Sequence, residues 1–313
     1  MYQINLNKIN DLARNDPRAL IAMGEAEYAE KITAAAMFIR ANADRKPIVL
    51  LSGPSGSGKT TTSKLLQRRL HQLGINTHTI SMDDYFTTRT EENSPRDEDG
   101  KIDLESPLCL DIPLFKAHLT ALSEGQEVKI PSFDFPNQCR SDEVHPLQVG
   151  KDEVAIIEGI HALNDMVTGD VSMRATKLYV SVASALYEEN REVFGSKSFR
   201  FLRRSERDKN FRNTPVAATL EQWISVRRGE RKYIKPFKVN ADIAIDSAID
   251  YEVNAMLPTL EGEIKRLDPQ AMERASLSQL YDCLDKIVPV DTTLIPPESL
   301  LREFLGGSTV LGN

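Results

Sequence analysis

The apolar positions of this chain fall into two rhythms. Short unbroken runs (PIVLLS, THTISM, VAIIEG, TKLYVSV and ADIAID) lack the polar alternation of a half-buried strand, and most predict strands buried on both faces. Longer stretches between them carry apolar residues at helical spacing. The first, RALIAMGEAEYAEKITAAAMFIRANA, is alanine-rich and follows Asp16-Pro17, an N-cap with a first-turn proline. Strands alternating with helices predict an α/β protein, with a mostly parallel sheet flanked by helices on both faces. Residues 87–106, TTRTEENSPRDEDGKIDLES, are polar and irregular, and predict a loop over the carboxyl ends of the strands. Past residue 266 come two further short helical stretches and a Gly-Gly tail.

One strand-to-helix passage breaks both rhythms. In LLSGPSGSGKTTTSKLL, residues Gly53-Pro54-Ser55-Gly56-Ser57-Gly58-Lys59-Thr60 fit G-x-x-x-x-G-K-[ST], a phosphate-binding loop with the strand before it and the helix after it that the motif requires. Glycines let successive N–H groups converge on an anion, and the new helix adds the positive end of its dipole. Lys59 is placed to reach the β- and γ-phosphates and the Thr60 hydroxyl to ligate Mg²⁺. Residues 53–60, with Thr61 in the first helical turn, are the expected nucleotide-binding set. No N/T-K-x-D motif for guanine follows. LSEGQ at 122–126 resembles a transporter-ATPase signature, but it closes a helical stretch instead of opening one, and its Gly125 reads as a helix stop.

Composition narrows the setting. A net charge of −7 argues against non-specific binding to nucleic acid or an anionic membrane surface. Cys109, Cys139 and Cys283 have no C-x-x-C spacing and read as reduced thiols. No apolar run approaches the ~18 residues of a membrane span, and MYQINLNKIN does not read as a signal peptide. A cytoplasmic protein is expected.

Two strand ends are acidic. THTISMDDYF finishes in Asp83-Asp84, and VAIIEGIHAL carries Glu158. A carboxylate at a strand tip beside the loop can hold Mg²⁺, and a second can accept the proton of an attacking hydroxyl. Adjacent strand residues point to opposite faces, so only one of Asp83 and Asp84 can look into a site, and spacing does not choose between them. SFRFLRRSERDKNFR, residues 198–212, holds six basic and two acidic side chains. Arg200, Arg203, Arg204 and Arg207 share one helical face, which repels itself unless an anion sits against it. SVRRGERKYIKP adds a second basic cluster.

Taken in order after GPSGSGKTT, the segments ISMDDYF, IDLESP, IPSFDF, VAIIEGIHAL, RRSERD and SVRRGERKYIKPF resemble the uridine kinase/phosphoribulokinase family, and most of all its bacterial uridine kinase-like branch. The resemblance covers about residues 46–265, and the tail LIPPESLLREFLGGS is also similar to that branch. It implies a P-loop kinase fold with a lid at about 198–235. A helical segment at 1–45 and a helical extension at 266–313 would flank the kinase domain at 46–265. Long members of the branch carry an N-terminal module related to a tRNA-synthetase segment, where this chain has a short helical lead.

The implied activity is ATP-dependent phosphorylation of a small-molecule hydroxyl, with the 5′-OH of uridine or cytidine as first expectation. A sister kinase acting on another sugar or alcohol, or a nucleotide-binding regulator, is the alternative; a homo-oligomer is left open. By the resemblance Asp83 is the catalytic aspartate, working with Lys59, Arg204 and Arg207. Thr60, Asp83 and Glu158 hold Mg²⁺. Asp83, Tyr85, Glu105, Phe133, Phe135, Gln138, Arg204 and Arg212 line the substrate. Two positions depart from the family pattern: Gln138 stands where well-studied uridine kinases have a base-reading histidine, and Glu105 replaces an aspartate.

Overall fold

The computed structural model describes residues 3–312. Along the chain come β1 (Gln3–Asn5), α1 (Leu6–Asn15), α2 (Pro17–Asn42), β2 (Ile48–Ser52), α3 (Lys59–Gln72) and β3 (Asn76–Ser81). Then follow α4 (Ile112–Ser123), β4 (Val128–Asp134), β5 (Cys139–Leu147), β6 (Glu153–Glu158), α5 (Asp165–Thr168), β7 (Ala175–Ser181), β8 (Ala185–Glu188) and β9 (Arg191–Phe194). The last part holds α6 (Ser196–Arg212), α7 (Val216–Gly229), β10 (Ile243–Asp246), α8 (Glu252–Ile264), and the short helices α9 (Pro269–Arg274), α10 (Gln279–Leu284) and α11 (Arg302–Leu305).

The five apolar runs form one sheet in the order β10-β7-β2-β6-β3, every neighbouring pair parallel. Its central strand β2 is buried throughout. Alternate residues serve opposite layers. Val49 and Leu51 join the core built by α2, α3, α8 and the tail, while Ile48 and Leu50 join Phe115, Leu119 and Leu122 of α4. Helix α2 begins as its sequence requires, with Pro17 in the first turn and Asp16 accepting the Ala19 N–H at 3.0 Å. Helix α4 stops ahead of Gly125, so LSEGQ ends a helix.

Two small sheets were absent from the sequence expectation. β4 and β5 make an antiparallel hairpin, and β1-β8-β9 a three-stranded sheet. Strand β5, CRSDEVHPL, has no fully buried position, so no apolar rhythm marks it. No helix among the described residues is long and apolar enough to cross a membrane, and the three cysteines are free.

Helix α6 is fastened to the fold by buried charge. Arg203 grips Glu252 in a fork (Nε to Oε1 3.0 Å, Nη2 to Oε2 2.5 Å) and donates to the Ser247 carbonyl oxygen at 2.6 Å. Both side chains are essentially inaccessible. Removing one partner of such a pair strands the other charge in the interior, at a cost of about 3–5 kcal/mol. Glu252→Gln is therefore expected to lower the urea midpoint by that equivalent; a midpoint within about 0.5 kcal/mol of wild type would show that the pair does not hold α6.

Candidate active site

The loop between β2 and α3 closes tightly because small residues allow it. A Cβ on Gly53 would stand 2.0 Å from the Val180 carbonyl oxygen, so no other residue fits there. The loop forms one wall of a cavity of about 390 Å³. Ser55, Gly56, Gly58, Lys59 and Thr60 line it from this side. Asp83 and Glu158, from the carboxyl ends of β3 and β6, form the floor, and Arg204, Arg207 and Arg212 of α6 come in from above. Asp84 does not line it; both aspartates lie in a 3-10 turn (Met82–Tyr85) just past β3, so the strand alternation expected to separate them does not apply.

Five cations (Lys59, Arg89, Arg204, Arg207, Arg212) and four carboxylates (Asp83, Glu105, Glu158, Glu303) share this space. Desolvation dominates the titration of Lys59, Asp83 and Glu158. It lowers Lys59, against the pull of Glu158, Glu303 and Asp83, and it raises Asp83 and Glu158, each opposed chiefly by Lys59. The Thr60 hydroxyl donates to Glu158 at 3.2 Å. This hydroxyl beside two strand-end carboxylates suits Mg²⁺, which takes oxygen ligands and commonly uses one or two carboxylates with substrate phosphates. No preassembled group of three or more His, Cys, Asp or Glu ligands occurs among the described residues.

The arginines of α6 divide in two. Arg200 and Arg203 are interior fasteners: Arg200 pairs with Glu230 at 2.8 Å and donates to the Ser55 carbonyl oxygen at 2.9 Å. They are tied to carboxylates and backbone of the protein itself and do not line this cavity, which corrects the expectation that all four arginines present one shared face. Arg204, Arg207 and Arg212 gather on Asp208 at 3.2, 3.2 and 3.3 Å. Arg204 also donates to the Ser55 hydroxyl at 3.1 Å. Asp208 thus sets the spacing of the three cavity arginines, a role that its place inside a basic run conceals.

The expected acceptor residues scatter. Glu105 reaches the cavity, because Gly229 lets α7 lie against it; a Cβ there would stand 2.3 Å from the Glu105 Cβ. Tyr85 does not reach it. Its ring packs edge-on to Phe115 and its hydroxyl meets His118 Nδ1 at 3.0 Å, so it belongs to the core. Phe133 and Phe135 touch at 5.2 Å between ring centres, but Phe86 is the ring of this cluster that lines the cavity. Gln138 has both ends of its amide engaged, accepting from Arg89 and donating to the Phe135 carbonyl oxygen. Arg89, stacked over Phe86, is a lining residue that sequence reasoning passed over.

A second omission is Glu303, from α11. Its Oε2 accepts the Thr61 N–H at 3.2 Å and the Thr61 hydroxyl at 2.7 Å. The tail therefore lays a carboxylate on the first turn of α3, where helix geometry favours an anion. Nothing in LLREFLGG signals a return of 242 residues to the loop.

Comparison with known proteins adds the following. The model of the phosphoribulokinase/uridine kinase family matches residues 48–254. Over 202 residues the chain is 29% identical to a uridine kinase of Leuconostoc citreum, taking in 64% of this chain and 87% of that protein. Over 227 residues it is 30% identical to a uridine kinase of Bacillus cereus, covering 70% and 97%. A solved structure described as a candidate fructose transport system kinase from Silicibacter sp. TM1040 superposes with a TM-score of 0.52 at 18% identity, covering 68% of this chain and 98% of that one. That likeness speaks to the fold alone.

Burial pushes the Glu105 carboxyl up to about 7 from its ordinary 4.5. An acid raised in the folded state costs nothing when both states are protonated. The cost grows as pH climbs from about 4.5 to about 7 and is constant above that. Glu105→Gln removes this titration. Its stability relative to wild type is expected to rise across that window by an amount on the order of 3 kcal/mol, read from urea unfolding at pH 4 and pH 8. The same difference at both pH values would contradict a raised Glu105.

Proposed function

The chain belongs to the phosphoribulokinase/uridine kinase family, and from that premise we propose that it moves the γ-phosphoryl group of ATP to the 5′-hydroxyl of a pyrimidine nucleoside. It is an ATP-dependent kinase; the proposal concerns the acceptor and the residues at work. The observation that carries it is the meeting of Lys59, Asp83 and the arginines on Asp208 in one cavity at the carboxyl ends of β2, β3 and β6. Relatives named uridine kinase direct the choice of acceptor.

In this reading Asp83 accepts the proton of the acceptor hydroxyl as its oxygen bonds to the γ-phosphorus and the bond to the ADP oxygen breaks. Lys59 bears on the β- and γ-phosphates, and Arg204, Arg207 and Arg212 on the charge of the phosphoryl group in flight. Thr60, Glu158 and Asp83 would hold Mg²⁺, which when bound draws charge from the phosphate oxygens. Glu105, partly protonated near neutrality, offers both a donor and an acceptor to sugar hydroxyls. Phe86 gives a planar base an aromatic face.

One observation favours a second acceptor class. Gln138 is committed to Arg89 and its own turn, so the amide is not free to read a base unless the hairpin shifts. A smaller sugar or alcohol needs no such reader. Steady-state ATP consumption against nucleosides, sugars and sugar phosphates decides: turnover with uridine or cytidine supports the first reading, and turnover confined to sugars supports the second.

Two variants test the roles. Asp83→Asn is expected to lower kcat by about 10²–10⁴-fold, the usual worth of a general base, with little change in ATP affinity; full turnover would remove Asp83 from the chemistry. Glu303 occupies donors that the nucleotide phosphates need, so Glu303→Gln is expected to tighten ATP binding by about three- to tenfold in calorimetric titration. Weaker binding would instead make Glu303 part of the nucleotide's own grip.

A further inference from the structure

Across β2 from the cavity that holds Asp83 and Glu158 lies another, of about 480 Å³, lined by Pro54 of the loop and by Tyr179 and Ser181 of β7. Five cations face it: Lys197 and Arg200 from α6, Arg227 from α7, and Lys235 and Lys238 from the turns that follow. Glu230 is the single carboxylate of this lining. A chain with a net charge of −7 thus concentrates an excess of four positive charges beside its phosphate-binding loop.

Glu230 does not discharge the cluster. Three cations share it, Arg200 at 2.8 Å, Arg227 at 2.9 Å and Lys235 at 3.6 Å. Lys197 and Lys238 are in no ion pair among the described residues; Lys238 leans over the Tyr179 ring at 5.5 Å. Arg200 is only 3% exposed, yet its Nη2 has no hydrogen-bond partner. The guanidinium stacks over the Trp223 ring at 5.5 Å, but a buried donor without an acceptor is costly, so an acceptor is expected there. Burial, with Arg227 close by, also lowers both Arg200 and Lys235.

We propose that this second cavity binds a small organic phosphate, and that the ligand acts on nucleotide binding at the loop through Arg200. Guanidinium groups match phosphate oxygens in paired donors, and two unpaired lysines add charge without demanding one geometry. The Tyr179 ring and Pro54 supply apolar surface for the organic part. The volume exceeds that of a bare ion. The coupling is direct: the Nε of Arg200 donates to the Ser55 carbonyl oxygen at 2.9 Å, and Ser55 also accepts from Arg204, which lines the catalytic cavity. An anion drawing on Arg200 acts on the loop through that one side chain. The ligand is an effector and not the acceptor, because β2 separates it from Asp83.

The test uses ³²P-labelled inorganic phosphate as probe, in equilibrium dialysis against the full chain saturated with Mg²⁺ and a non-hydrolysable ATP analogue, so that the loop is already filled. One phosphate per chain is expected to bind. The double variant Lys235→Glu/Lys238→Glu alters two partly exposed side chains and is expected to bind the analogue alone as wild type does. It should weaken phosphate binding at least tenfold. Phosphate should also shift the analogue's Kd at least threefold in wild type and not in the variant. No phosphate bound beyond the loop, or equal binding by the variant, overturns the site; an unchanged analogue Kd overturns the coupling.

Discussion

A helix rich in arginine has to be held against a phosphate site without being driven off by its own charge. Helix α6 meets this constraint by spending two arginines on the interior. Arg203 is sunk onto Glu252 and Ser247, and Arg200 onto Glu230 and the Ser55 carbonyl oxygen. These bonds join α6 to the phosphate-binding loop, to α8 and to the segment after α7. The remaining arginines are gathered by Asp208, which leaves them oriented but incompletely neutralised. Pre-positioned charge of this kind stabilises a transferring phosphoryl group without reorganising at the moment of reaction.

The opposite wall works by desolvation. Asp83 and Glu158 sit at strand ends where the surrounding protein raises them, and Lys59 pulls them back. A carboxylate raised by burial is a stronger base than a solvated one. Burial raises Glu105 in the same way, to about 7, against the pull of Arg204 and Lys59. Glu303 adds a fourth carboxylate on the first turn of α3. There it satisfies donors at the helix end.

Much of this architecture was legible in the chain. The five runs became the five strands of the main sheet; β2, β6 and β7 are largely apolar because both faces are covered, while the edge strands β3 and β10 each bury one residue. The loop was legible from glycine spacing alone, and Asp16-Pro17 marked the start of α2. The hairpin was not legible: β5 buries no face, and a pattern method has nothing to detect in CRSDEVHPL. Charge runs misled in a different way. Periodicity placed four arginines on one face, but it carries no information on which of them meet Glu230 and Glu252, residues 30 and 49 positions away. Glu303 and Gln138 show the same limit. Their partners are set by tertiary return and by a turn with φ of 54° at Gln138, neither of which leaves a local signature.

The account rests on one cavity in which the loop and α6 together grip a triphosphate. The electron density of the protein crystallised with Mg²⁺ and a non-hydrolysable ATP analogue tests this most directly. The account predicts phosphates on the N–H groups of residues 56–61, Glu303 turned away from Thr61, Arg204 and Arg207 against the terminal phosphate, and Arg203 still locked on Glu252. A nucleotide bound elsewhere, with Glu303 still seated on Thr61, would contradict it.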